Sequence, residues 1–184
     1  MTVSANDVAA ELRQRLRGLP TKKLHKLLYY CQAHHLATFD VPMFRETVSA
    51  WDMGPVVGAL WWEEKEAAGP VGGDPTRLDE AALNTIGYVL HRYGALSGQD
   101  LEHLTHTETP WLEADARREP RDSARISNES MADYFRNSDT DDDHDEAPSA
   151  DSEMRAWLGR AGDWQHQPRQ PDSIERLRAR LLHG

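Results

Sequence analysis

The sequence predicts a mainly α protein: a compact helical domain of about six to seven helices with a small β hairpin, followed by an acidic linker and short C-terminal amphipathic helices. Three observations carry this. Apolar residues recur at three- and four-residue intervals through most of the first 136 positions. Glycine and proline divide that stretch into pieces of helical length. One block, Met43 to Met53, instead carries Phe44, Val48, Ala50 and Trp51 between turn residues, a pattern suited to short extended pieces. With 184 residues, 39% of them hydrophobic, the chain can bury roughly 70% of its unfolded surface without disulfides or a structural metal.

Val8, Leu12, Leu16 and Leu19 share a helical stripe, which predicts a first helix from Asn6 to Arg17 closed by Gly18. Thr21 to Thr38 follows Pro20 and places Leu24, Leu27, Leu28, Cys31 and His35 on a wide apolar face, the mark of a central helix. Pro55 is expected as the first residue of the next helix, Pro55 to Ala67, where its missing amide costs nothing. A glycine-rich loop follows at Gly69 to Gly73. Asp79 to Tyr93 lines up Leu83, Ile86, Val89, Leu90 and Tyr93 and stops at Gly94. Ser97 and Asp100 form a capping arrangement for a helix from Gly98 to His106. Thr109-Pro110 opens a helix to Arg117 by the same cap-then-proline logic. Ser127 caps the last core helix, Asn128 to Arg136, which buries Met131, Tyr134 and Phe135. Domain boundaries are therefore expected at 1–136, 137–153 and 154–184.

Charge divides the chain unevenly. Its formal net charge is −10, and Asp139 to Glu153 holds eight acidic residues with no Lys or Arg. Residues 1–136 carry 15 basic and 20 acidic groups, and residues 137–184 carry 6 and 11, so each part contributes −5. Such a balance argues against a protein that binds nucleic acid by neutralising phosphates. The last quarter reads as a polar linker with two short helices, Met154 to Ala161 and Ser173 to His183. In the second, Ile174, Leu177 and Leu181 fall in register, and so short a helix needs a surface to dock on. The lone Cys31 and the lack of a positive-then-apolar leader point to a reducing cytoplasm. The longest uncharged apolar run, Pro55 to Trp62, is far below the roughly 20 residues of a membrane span.

The residues offer no catalytic or cofactor constellation. His103 and His106 share a helical face but lack the glutamate and the i,i+4 spacing of a zincin helix. His34 and His35 point about 100° apart, and His35 and His106 are expected as core or rim histidines with a satisfied ring nitrogen. Cys31 sits on the apolar stripe, which favours packing over nucleophilic chemistry. Gly54-Pro55 and Gly72-Gly73-Asp74 fit neither dinucleotide nor Walker spacing. Glu63, Glu64 and Glu66 read as a solvated helix face. Of the adjacent Trp61 and Trp62, only one indole can enter the core. With Val57 and Trp61 inward, Trp62 lies at the edge as a candidate anchor for a partner protein or as a seal under the hairpin.

Three blocks then resemble one family. Lys23-Leu24-His25-Lys26-Leu27-Leu28-Tyr29-Tyr30-Cys31-Gln32-Ala33-His34-His35-Leu36-Ala37, Ala50-Trp51-Asp52-Met53-Gly54-Pro55-Val56-Val57, and Leu104-Thr105-His106 with Thr109-Pro110-Trp111 stand in the order of the Panacea antitoxin domain. Ile126 to Phe135 resembles its closing segment. The likeness covers about residues 8–136, with Cys31 where a small residue is more usual. It implies a mostly helical fold with a small β element and an antitoxin of a type II toxin-antitoxin system, not an enzyme and without a cofactor. Such an antitoxin neutralises a cognate toxin, typically encoded beside it, by direct contact that blocks the toxin's active site or substrate path. Panacea domains are paired with toxins of many folds, tRNA-modifying alarmone-synthetase-like enzymes among them.

In this reading Leu27, Tyr30, Trp51, Gly54, Pro55, His106, Pro110 and Trp111 are fold determinants. Tyr30, Trp51 and Trp111 fill the core, and Gly54-Pro55 sets the turn into the third helix. Toxin contacts are expected on the flanks, at Tyr29, Arg45, Asp52, Met53, Trp62 and Glu63 and at Ile174, Leu177 and Leu181 of the tail, in a hetero-oligomer with the toxin. The acidic tail is expected to engage a basic, RNA- or nucleotide-binding face of that toxin. The resemblance also allows a prophage-encoded adaptor that delivers a bound protein to a protease. A DNA-binding autoregulator is disfavoured because no basic recognition helix is present.

Overall fold

A computed structural model describes residues 3–141. They form seven helices and a three-stranded antiparallel sheet: α1 Ala5–Arg15, α2 Thr21–Phe39, β1 Val48–Trp51, β2 Gly54–Val57, α3 Gly58–Glu66, α4 Glu80–Tyr93, α5 Gly98–Thr105, α6 Thr109–Asp115, β3 Ala124–Arg125 and α7 Asn128–Asp141. No helix among these residues is long and apolar enough to cross a membrane. The expected linker and C-terminal helices lie outside the described residues.

Local chemistry sets several ends, those at Ser97 and Ser127 as expected. Ser97 and Asp100 exchange backbone bonds in a capping box at the start of α5, and Ser4 with Asp7 does the same for α1. Asp79 caps α4 by accepting from the Ala82 amide at 2.9 Å, and Ser127 Oγ accepts from the Ser130 amide in the first turn of α7. That last helix continues past the expected end at Arg136 to Asp141.

The centre of the domain is α2, in which every residue from Leu24 to Leu36 is buried. Helices α1, α4, α5 and α7 and strand β2 pack around it, so it has no solvated face and its polar side chains must find partners inside. Gln32 holds the following loop: its Oε1 accepts from the Met43 and Phe44 amides at 2.9 and 3.1 Å, and its Nε2 donates to the Phe44 carbonyl at 3.1 Å. His34 Nε2 meets the Tyr93 hydroxyl at 3.0 Å and His35 Nδ1 the Thr85 hydroxyl at 3.1 Å. Tyr30 stacks on Tyr93, with centroids 3.9 Å apart.

Three expectations are corrected here. Pro55 does not start a helix; it lies in β2, paired with Ala50 of β1. The strand order β2-β1-β3 makes β2 an edge, where a residue without an amide hydrogen is tolerated. The turn into α3 is made after Val57 instead. Within α3, Leu60 and Glu64 face inward while Trp61 is only half-buried. Glu64 is therefore not on a solvated face; it is buried against Arg13 at 2.6 Å. The sheet gains the two-residue strand β3, paired with Ser49 and Ala50, too short to leave a periodic signal.

Candidate functional site

The exposed edge of β2 is covered by the start of α2. Lys26 runs beneath the hairpin, 1% exposed, and its ammonium donates to the Pro55 carbonyl at 3.1 Å. One turn position away, His25 Nδ1 accepts from the Val57 amide at 3.3 Å. These two side chains satisfy backbone groups that a bare edge strand leaves open. Gly54 makes the close approach possible: its φ is +94°, and a Cβ there would lie 2.7 Å from Lys26 Cε. Burial lowers the Lys26 ammonium to about 8 and the His25 ring to about 4, the latter aided by the positive charge of Lys26.

Above this floor lies a groove of about 710 Å³. Thr21, Lys22, His25 and Lys26 of α2 form one side and Trp51, Asp52, Met53 and Val56 of the hairpin another; Trp61 and Trp62 of α3 and the loop Arg121–Ser123 complete it. The three indoles make a continuous wall, with centroids 5.2 Å apart for Trp51 and Trp61 and 4.7 Å for Trp61 and Trp62. The Lys65 ammonium lies 4.8 and 4.6 Å from the rings of Trp61 and Trp62. Trp62 and Met53 are each 53% exposed. At the tip, Asp52 is 2.5 Å from Arg118, whose guanidinium is also held by Asp115 at 2.6 Å. This pins the hairpin to the loop that ends in Arg121, a non-glycine residue at φ +69°.

The groove thus brings together Asp52, Met53 and Trp62 of the expected contact residues. Glu63, adjacent in α3, points away from it and accepts from Asn6 Nδ2 at 2.8 Å. Arg45 is exposed in the loop before β1, beside Glu46, and does not line the groove. Tyr29 is a correction: it is fully buried and donates its hydroxyl to Glu108 at 2.7 Å, so it is no surface contact. Trp51 is another, since it stands half-buried in the groove wall rather than in the core. Ile174, Leu177 and Leu181 lie outside the described residues. Leu27, Tyr30, Pro110 and Trp111 are buried.

A second feature escaped the sequence reading. Glu108, at the start of α6, is 4% exposed and accepts from both Tyr29 and Tyr30 hydroxyls, at 2.7 and 2.8 Å. Burial pushes its carboxyl up to about 7 against the pull of the two tyrosine hydrogen bonds. The partners lie nearly eighty positions away in sequence, and no local pattern announces them. His35 has its ring bond to Thr85, but His106 departs from expectation: its Nε2 has no partner among the described residues, nor has Trp111 Nε1. The two rings stack instead, with centroids 4.0 Å apart. Cys31 is fully buried and burial drives its thiol far up, which removes it as a nucleophile. No group of three His, Cys, Asp or Glu among the described residues is placed to hold a metal ion.

No curated protein and no solved structure matches the chain. A family model does, over most of α2, the hairpin, α3 to α5 and the start of α6, segments that hold the covered edge, most of the groove lining and the Glu108 site. That family is described as antitoxin SocA-like, Panacea domain, and the match spans residues 24–112.

Proposed function

We propose that this protein is the antitoxin of a type II pair and neutralises a cognate protein toxin by direct contact that covers the toxin's active site or substrate path. The observation that carries this reading is the Panacea domain at residues 24–112. The groove beside its hairpin supports it: half-exposed Trp62 and Met53 in front of Trp51 and Trp61 are the residue types that anchor protein interfaces. A tRNA-modifying, alarmone-synthetase-like enzyme is one toxin that fits the family. The test is co-expression with the product of the adjacent reading frame. That product alone is expected to arrest growth, this chain to restore it, and the two to co-purify; arrest that this chain does not relieve overturns the reading.

The tail adds a separable proposal, motivated by its eight clustered acids: residues 137–184 engage a basic face of the toxin. Deleting them should abolish rescue, and full rescue by residues 1–136 would refute it.

A further inference from the structure

We propose, on the premise that this chain binds a protein partner, that the groove between the hairpin, α2 and α3 seats an extended partner segment in which an aspartate or glutamate neighbours an aromatic or large aliphatic residue. The walls specify the apolar part. Three indoles, Met53 and Val56 face one open channel, and Trp62 and Met53 leave half their surface in water. Such surface gains from being covered by a flat or branched apolar side chain.

The floor specifies the charge. The lining carries Lys22, Lys26 and Arg121 against Asp52 and Asp122, in a stretch, residues 1–136, whose acids outnumber its bases by five. Asp52 is paired with Arg118, as Lys22 is with Glu102, and Asp122 accepts from the Ser123 amide at 2.7 Å. The donors are less fully matched. The Lys26 ammonium donates to the Pro55 carbonyl, and an ammonium has three hydrogens to give. Because His25 Nδ1 accepts from the Val57 amide, the proton of the neutral ring sits on Nε2, which is buried without a partner among the described residues. Lys22 is shared with Glu102 at 2.6 Å yet keeps a side chain 36% exposed at the rim. An occupant bearing a carboxylate meets this field favourably; a basic one does not. The wall of indoles also sets a peptide, which brings an apolar side chain beside its carboxylate, ahead of a polyphosphate strand.

The experiment pans a displayed library of random linear peptides against the full-length protein, then measures the synthetic form of each enriched sequence by the protein's tryptophan emission. The expected result is enrichment of sequences pairing Asp or Glu with Trp, Phe, Tyr, Leu or Ile. Binding should weaken by about tenfold or more in Trp62→Ala and in Met53→Ala, by a similar factor in Lys22→Glu, and stay unchanged in Glu80→Ala, an exposed residue of α4 away from the groove. Trp62 and Met53 are exposed, so their variants should melt as the parent does. No enrichment, enriched sequences without an acid, equal binding to Trp62→Ala, or self-association through the groove in place of peptide binding each overturns the proposal. Growth rescue separates the two layers. A toxin neutralised equally well by wild type and by the Trp62→Ala/Met53→Ala double variant refutes the groove while leaving the antitoxin reading intact. Failure of the wild type to neutralise refutes that reading itself.

Discussion

Glu108→Gln should make the domain more stable at pH 8 while leaving it no more stable at pH 5. The carboxyl is held at about 7 when folded, against 4.5 for the free side chain. Below 4.5 both folded and unfolded chains hold the proton, and the site contributes no pH dependence. Between 4.5 and 7 the unfolded chain releases it while the folded one retains it, so stability falls as pH rises through this window and levels off above it. At about 1.4 kcal/mol per unit, the gap amounts to about 3 kcal/mol of destabilisation at pH 8. Glutamine removes the charge and can accept from one tyrosine, but turns an NH2 group toward the other, which takes back about 1 kcal/mol. The net expectation is a gain of about 2 kcal/mol at pH 8. Urea unfolding of wild type and variant at pH 5, 6, 7 and 8 reads this directly. A stability difference constant across the four pH values would refute the buried, proton-retaining carboxyl.

Three further outcomes follow from the geometry. Gly54→Ala combines a φ of +94° with a Cβ 2.7 Å from Lys26 Cε and should cost about 1–3 kcal/mol in denaturant unfolding; a neutral result would contradict both the backbone strain and the close approach at this position. Gln32→Ala leaves two buried amides and a carbonyl of the Met43–Phe44 loop unpaired, a loss of about 3 kcal/mol by the same measurement. Cys31 should resist maleimide in the native protein and react fully once unfolded, because burial keeps it a thiol; rapid native labelling would contradict its placement.

Much of the helix pattern was legible because its signals are local. Ser97 with Asp100, Ser127 ahead of α7 and the stripe of Val89, Leu90 and Tyr93 each act within a few residues. Pro55 misled for the same reason: a proline before an apolar run satisfies the rule for a helix start, and only the cover supplied by Lys26 and His25 of α2 makes it an edge-strand residue. Tyr29 and Glu64 read as surface because periodicity assumes one solvated face. α2 has none, and Glu64 gains its partner from α1. Of the candidate site, Trp62 was legible from helix geometry, and Asp52 and Met53 from their place beside the family motif in the block Ala50 to Val57. Trp51 and Trp61 were assigned to the core, since nothing in sequence says that the hairpin and α3 leave a channel between them. Glu108 was invisible, as a single acid before Thr-Pro gives no hint of two tyrosines from another helix.

The antitoxin function and the groove meet in one proposal, that a cognate protein toxin binds at the hairpin. The most direct measurement is calorimetric titration of the purified adjacent-frame toxin into full-length wild type and into the Trp62→Ala/Met53→Ala double variant. A saturable complex with the wild type and at least tenfold weaker binding to an equally stable double variant is the predicted result. Equal affinity for both proteins would contradict it.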